Sequence, residues 1–229
     1  MIDPVIIVGG GAAGMMAAGT AASRNKDVLL IEKNKKTGRK LLLTGKGRCN
    51  LTNASNIEGF FDNIVSNDKF LYSALYSFNN NQLRQFFHKL GVPTKVERGQ
   101  RVFPVSERAA DIVNALRNFL KKHRVKVITG KAVKIITDSH RKTENDIKNN
   151  SNNYTGNMKY LKKLLLSDNR QFKCSSLIIA TGGLSYPGTG SSGDGYRLAE
   201  DVGHTVTKLK PALVPLEVEN DWVQDTDYL

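Results

Sequence analysis

Cysteine, tryptophan and long apolar runs are scarce in this sequence. Two cysteines, Cys49 and Cys174, stand in 229 residues. They cannot form a disulfide framework, and the expected compartment is a reducing one, the cytoplasm. No apolar run approaches the roughly 20 residues of a spanning helix. The small, apolar stretch at residues 5–24 follows Met-Ile-Asp-Pro rather than a basic leader, and glycines interrupt it, so it does not read as a secretion signal. The four histidines, His88, His123, His140 and His204, have no metal-ligand spacing. No G-x-S-x-G elbow is present, which removes the hydrolase reading. Acid is the minority charge: 34 basic residues against 21 acidic give +13. With 40% hydrophobic residues the chain has enough apolar content for a core, which excludes general disorder.

Val5–Val8 is a short, wholly apolar run, and Val28–Ile31 is another. Strands buried on both faces of a parallel sheet read this way. Between them lie six residues, Gly9-Gly10-Gly11-Ala12-Ala13-Gly14, and an alanine-rich helical stretch. Strand, glycine turn, helix and strand make a βαβ unit. G-x-G-x-x-G in that context is a dinucleotide fingerprint. Gly9 permits the turn, Gly11 lets backbone approach a pyrophosphate, and Gly14 lets helix and strand pack closely. Glu32 closes the second strand, where a carboxylate accepts hydrogen bonds from a ribose diol and disfavours a 2′-phosphate. An adenine dinucleotide follows; FAD and NAD remain equal at this point.

From Lys33 to Arg48 the chain carries Lys33, Lys35, Lys36, Arg39, Lys40, Lys46 and Arg48 without an acid. Gly45 and Gly47 allow backbone amides to face a ligand, and the cations can neutralise phosphates. Cys49, beside Arg48, reads as a packing cysteine or a nucleophile of lowered pKa. Ala180, Thr181, Gly182 and Gly183 sit at the end of a third apolar strand, Ser176–Ala180. The glycine-rich loop Gly188–Gly195, which includes Asp194, precedes a helix from Tyr196 to Val202. Further helices are expected from the stripes Phe70–Phe78 and Leu83–Leu90, both with core aromatics, and from Ala109–Leu120, capped by Ser106. Strands are expected at Thr94–Val96, Arg101–Phe103, Val125–Thr129, Ala132–Thr137 and Leu213–Val218. Six asparagines between Asn145 and Asn157 read as a loop or a disordered insertion.

Four runs, VIIVGGGAAGMMAA, GRKLLLTGKGRCNLTN, RVFPVSERAADIVNAL and ATGGLSYPGTGSSGDGYRLAEDVGHTVTKLKPALVPL, resemble the HI0933-like flavoproteins, which include aminoacetone oxidase-like enzymes. The resemblance implies an α/β fold: a Rossmann-like FAD-binding domain of the glutathione-reductase type, with an open parallel sheet and flanking helices. It implies FAD at Gly9, Gly11, Ala12, Ala13, Gly14 and Glu32, and along Lys33, Lys40, Gly45, Gly47, Arg48, Cys49 and Asn50. Val133 would meet the adenine, and Ala180 to Gly183 with Asp194 would complete the site. The domain would span residues 1–209, with the Asn-rich insertion at 138–170, and residues 210–229 would begin a mostly β middle domain. The chain would then be an N-terminal part of a longer protein. The implied activity is hydride transfer between a small substrate, for example an amine such as aminoacetone, and flavin reoxidised by oxygen or NAD(P). An NAD(P)H-dependent reductase, a non-catalytic FAD- or ADP-binding fragment and a nucleic-acid-acting flavoprotein are the alternatives. The charge of +13 raises the last; the absence of an aromatic RNA platform such as an RRM signature speaks against it.

Overall fold

The computed structural model describes residues 3–140 and 158–211. Most of the Asn-rich segment and the expected strand at Leu213–Val218 lie outside the described residues. The central feature is a parallel sheet of four strands: β1 (Val5–Val8), β2 (Val28–Glu32), β6 (Lys126–Thr129) and β10 (Ser176–Ile179), in the order β10-β1-β2-β6. Ile7 sits in register with Leu30 on one side and Ile178 on the other.

Both faces of β1 and β2 are covered, which is why these strands read as unbroken apolar runs. Ile7 and Leu30 point to helices α1 (Ala12–Ser23) and α5 (Ala109–Lys122), where they pack with Met15, Ala18, Ile112 and Leu116. Ile6, Val8, Leu29 and Ile31 point the other way. There they meet an antiparallel sheet of β7 (Ala132–His140), β8 (Met158–Leu166) and β9 (Gln171–Lys173), and Leu198 of helix α6 (Asp194–Asp201). The result is three layers: helices, parallel sheet, and a small sheet with one helix.

Helix α1 lies against both the sheet and α5 because its inner face is small. A Cβ at Gly14 would collide with the Gly9 carbonyl oxygen, and one at Gly19 with the Phe119 ring. A third sheet, β3 (Thr52–Asn53), β5 (Arg101–Pro104) and β4 (Thr94–Glu97), stands beside this core. Helices α2 (Ile57–Asp62), α3 (Asp68–Ser77) and α4 (Asn80–Lys89) lie between β3 and β4 along the chain. Among the described residues, no helix is long and apolar enough to cross a membrane.

Several expectations change. The stripe on α4 is core as expected, with Phe87 buried. The stripe on α3 is not: no residue of α3 is buried, and Phe70 is 86% exposed. Periodicity shows that a helix has an apolar face, not that a partner covers it. β10 is the outer strand of its sheet, and Ile178 and Ile179 are exposed rather than buried. Ser106 does not cap α5; the cap position is Arg108, with no side-chain hydrogen bond. β8 is a strand inside the expected insertion, with Leu164 and Leu166 buried at strand spacing. Its lysines and the preceding asparagines masked that alternation.

The contact between Gly14 and Gly9 gives the first prediction. Gly14→Ala adds helix propensity of about 1 kcal/mol, yet its methyl meets backbone that cannot turn aside. Overpacking of this kind costs roughly 1–3 kcal/mol or more. Urea denaturation should show a net loss of about 2 kcal/mol; equal stability would mean that helix and strand are not in contact there.

Candidate functional site

The carboxyl ends of β1, β2 and β10 converge on one cleft of about 320 Å³. β1 leads right to β2, and β10 lies to its left, so the cleft opens at the switch point where open α/β sheets bind ligands. Gly9, at φ +106°, turns the chain from β1 into α1, and its amide donates to the Ile31 carbonyl at 2.8 Å. A side chain at Gly9 would strike the Ala180 backbone. Gly11 is the N-cap residue of α1, with no side-chain cap. A Cβ on Gly11 would meet nothing within 4 Å, because that direction is the cleft. The first intrahelical bond is donated by Met15 to the Gly11 carbonyl, so the amides of Ala12 and Ala13 precede the helical ladder. A helix N-terminus of this kind favours an anion through its unsatisfied N–H groups and its dipole.

Glu32 is 8% exposed and faces the turn. Its Oε2 accepts from the Gly10 amide at 2.6 Å, and its Oε1 accepts from the backbone and side-chain nitrogens of Asn34 at 2.7 and 2.8 Å. A carboxylate offers about four acceptor sites. Three are used, which leaves one for a ligand.

The glycine-rich loop before α6 closes the far wall through two lysines. Lys33 Nζ donates to Asp194 Oδ2 and Ser192 Oγ, both at 2.6 Å. Lys40 Nζ donates to Ser191 Oγ at 2.7 Å and to the Ser185 carbonyl at 2.8 Å. Lys131 and Arg197 lie 3.6 and 3.3 Å from the other Asp194 oxygen. Burial works against ionisation of Asp194, but the hydrogen bonds from Lys33 and Ser192, with the charges of Lys33 and Lys131, outweigh it. The carboxyl is held down at about 2.

Comparison with known proteins places this arrangement. Residues 3–217 match the family model described as the HI0933-like protein Rossmann domain. The chain belongs to that family. A 3-dehydro-bile acid delta(4,6)-reductase of Clostridium scindens is 33% identical over 84% of this chain and 41% of its own length. A ribosomal RNA dihydrouridine synthase of Haemophilus influenzae is 31% identical over 85% of this chain and 44% of its own length. The HI0933-like chain therefore spans less than half the length of these relatives. Among solved structures, a 3-ketosteroid-delta4-(5alpha)-dehydrogenase from Rhodococcus jostii RHA1 shares the fold, with TM-score 0.56 at 14% identity over 80% of this chain and 46% of that one.

In this HI0933-like domain the expected site residues separate into two groups. Gly9, Gly11, Ala12, Ala13, Glu32, Lys33, Lys40, Ala180, Thr181, Gly182 and Asp194 line the cleft. Gly14 packs beneath it. Gly183, Gly45, Gly47, Arg48, Cys49, Asn50 and Val133 are not among the lining residues; Lys131 and Ala132 stand where Val133 was expected. The Arg48 guanidinium lies 4.1 Å from the Phe103 ring centre and 3.1 Å from Glu97. Cys49 is 1% exposed in the core, and burial pushes its thiol up against the opposing hydrogen bond with Thr44. That favours the packing role over the nucleophile. Asn34, Lys131 and Ser191 were missed. Asn34 lies two residues past Glu32, where a carboxylate invites a local amide; Lys131 and Ser191 carry no local signal.

Because the Asp194 carboxyl is depressed from an ordinary 3.8 to about 2, its contribution is present above pH 4 and lost as pH falls toward 2. It amounts to about 2 kcal/mol. Asp194→Asn should lower stability by about that amount at neutral pH and flatten the acid limb between pH 4 and 2. Denaturant midpoints across that range check it; parallel curves for both proteins would show that Asp194 is not held ionised.

Proposed function

We propose that this chain is the FAD-binding domain of an oxidoreductase that reduces a polarised carbon–carbon double bond. The observation that carries the cofactor reading is the open space beyond Gly11 at the uncapped N-terminus of α1, flanked by Glu32. A diphosphate in that space would receive the Ala12 and Ala13 amides. Glu32, with one acceptor site left, suits a ribose hydroxyl and opposes a 2′-phosphate. Lys131 and Ala132 would border the adenosine end, and Ala180 to Gly182 would run along the cofactor toward the flavin.

When bound, the flavin would supply a two-electron hydride reservoir, with NAD(P)H as the electron source. The chain's own contribution is to fix the cofactor by its phosphates. Lys33 and Lys40 then act chiefly as ties between two loops, since Asp194 and Ser191 already hold them. Support for double-bond reduction comes from two relatives: one is named a delta(4,6)-reductase and the other a dihydrouridine synthase, dihydrouridine being uridine with one carbon–carbon double bond of its base saturated. Both names describe addition of hydrogen to an activated C=C. The amine expectation gains no support from either name. A second reading makes the substrate a uridine in RNA; the charge of +13 and the dihydrouridine synthase relative favour it.

Gly11→Val tests the cofactor reading. Its side chain enters open space, but valine is a poorer N-cap than glycine, so the loss of stability should stay at about 1 kcal/mol. Titration calorimetry should show ADP and FAD affinity falling at least tenfold. Unchanged affinity would place the diphosphate elsewhere.

A further inference from the structure

The cations between Lys33 and Arg48 do not act as one group. Lys33 and Lys40 face the cofactor cleft. Lys35 and Lys36 line a second groove, of about 360 Å³, along the β6 edge of the parallel sheet, with Arg117 and Lys121 of α5 opposite them. The groove and the cleft share only Glu32 and Asn34.

Arg117 is held in place: its Nε donates to Thr37 Oγ1 at 3.2 Å and its Nη2 to the Thr37 carbonyl at 2.7 Å. Lys35, Lys36 and Lys121 are exposed, and no hydrogen bond or ion pair joins their ammonium groups to another described residue. Glu32 is the acid among the lining residues, and Gly10 and Asn34 engage both its oxygens. Four positive groups thus share one groove with a single acid, an excess of positive charge. Exposed Lys122, Arg124 and Lys126 continue the cations along the end of α5 and onto β6. β6 pairs with β2 alone in its sheet, so its outer edge has no strand beside it among the described residues.

Such a stripe repels itself until anions enter it. A single phosphate is usually held by convergent backbone amides in a concave turn; here long cationic side chains stand along an extended edge. Arg117 and Lys121 are one helical turn apart, about 6 Å along the axis, comparable to the separation of neighbouring phosphates on a nucleic-acid strand.

We propose that this groove binds the phosphodiester backbone of RNA and orients it toward the adjoining cleft. The inference rests on the second reading above, that the substrate is a uridine in RNA. Cofactor binding is measured separately, so the two can fail separately.

The test is fluorescence anisotropy of a labelled RNA hairpin with the 229-residue chain across a salt series. Lys36→Ala with Lys121→Ala should weaken binding on the order of tenfold or more near 0.1 M salt. The same pair should reduce the slope of log affinity against log salt by roughly 2. ADP affinity and melting temperature should not move. Lys69→Ala with Lys173→Ala, which removes equal charge elsewhere, should change RNA affinity much less. Equal losses in the two double variants would overturn the proposal, as would absence of RNA binding by the parent chain. So would complete competition by inorganic phosphate at constant ionic strength, which would mark a small-anion site. If ADP fails to bind while the RNA results hold, the cofactor reading falls and the groove stands.

Discussion

The close approach of α1 to β1 governs the rest of this structure. The Gly9 carbonyl occupies the space in which any side chain at residue 14 would lie. That contact fixes where the helix begins, and so where its unsatisfied amides point. Gly9, at φ +106°, makes the turn short enough for the contact to form. Glu32 then ties the turn to β2 through the Gly10 amide at 2.6 Å. The cleft inherits its shape from these backbone constraints rather than from a set of catalytic side chains.

Around this turn, positive charge is distributed in an ordered way. Lysines that face the cleft are tied to the loop before α6: Lys33 and Lys131 pair with Asp194, and Lys40 donates to the Ser191 hydroxyl and the Ser185 carbonyl. This arrangement locks loops more than 140 residues apart in the chain, as the Lys40–Ser191 bond shows. Lys35, Lys36 and Lys121, which have no polar partner among the described residues, line the separate groove beside β6, where a different anion would find them.

Much of this was legible in the sequence, for physical reasons. Strands covered on both faces cannot afford polar residues, so β1 and β2 announce themselves. The glycine turn is readable because its glycines answer separate needs: Gly9 takes φ +106°, Gly14 admits the Gly9 carbonyl, and Gly11 leaves its side of the turn open. What could not be read was partnership across the chain. Lys33 and Lys40 look like phosphate ligands in sequence; only the fold brings Asp194 and Ser191 to them. Arg48 likewise reads as a free cation until Phe103 and Glu97 are seen beside it. The apolar stripe on α3 is real, but sequence cannot say that it stays largely exposed, with Phe70 bare and Leu75 only half-buried. β8 was obscured by the lysines in its sequence, though Leu164 and Leu166 hold its inner face.

The central claim is that a diphosphate sits at the start of α1. Amide NMR of the isotopically labelled chain, titrated with ADP, tests it most directly. The account predicts the largest shifts at Gly11, Ala12 and Ala13, saturating together with those at Glu32 and Asn34, while Lys35, Lys36 and Lys121 barely respond. Shifts centred on those lysines, with Gly11 to Ala13 unmoved, would contradict it.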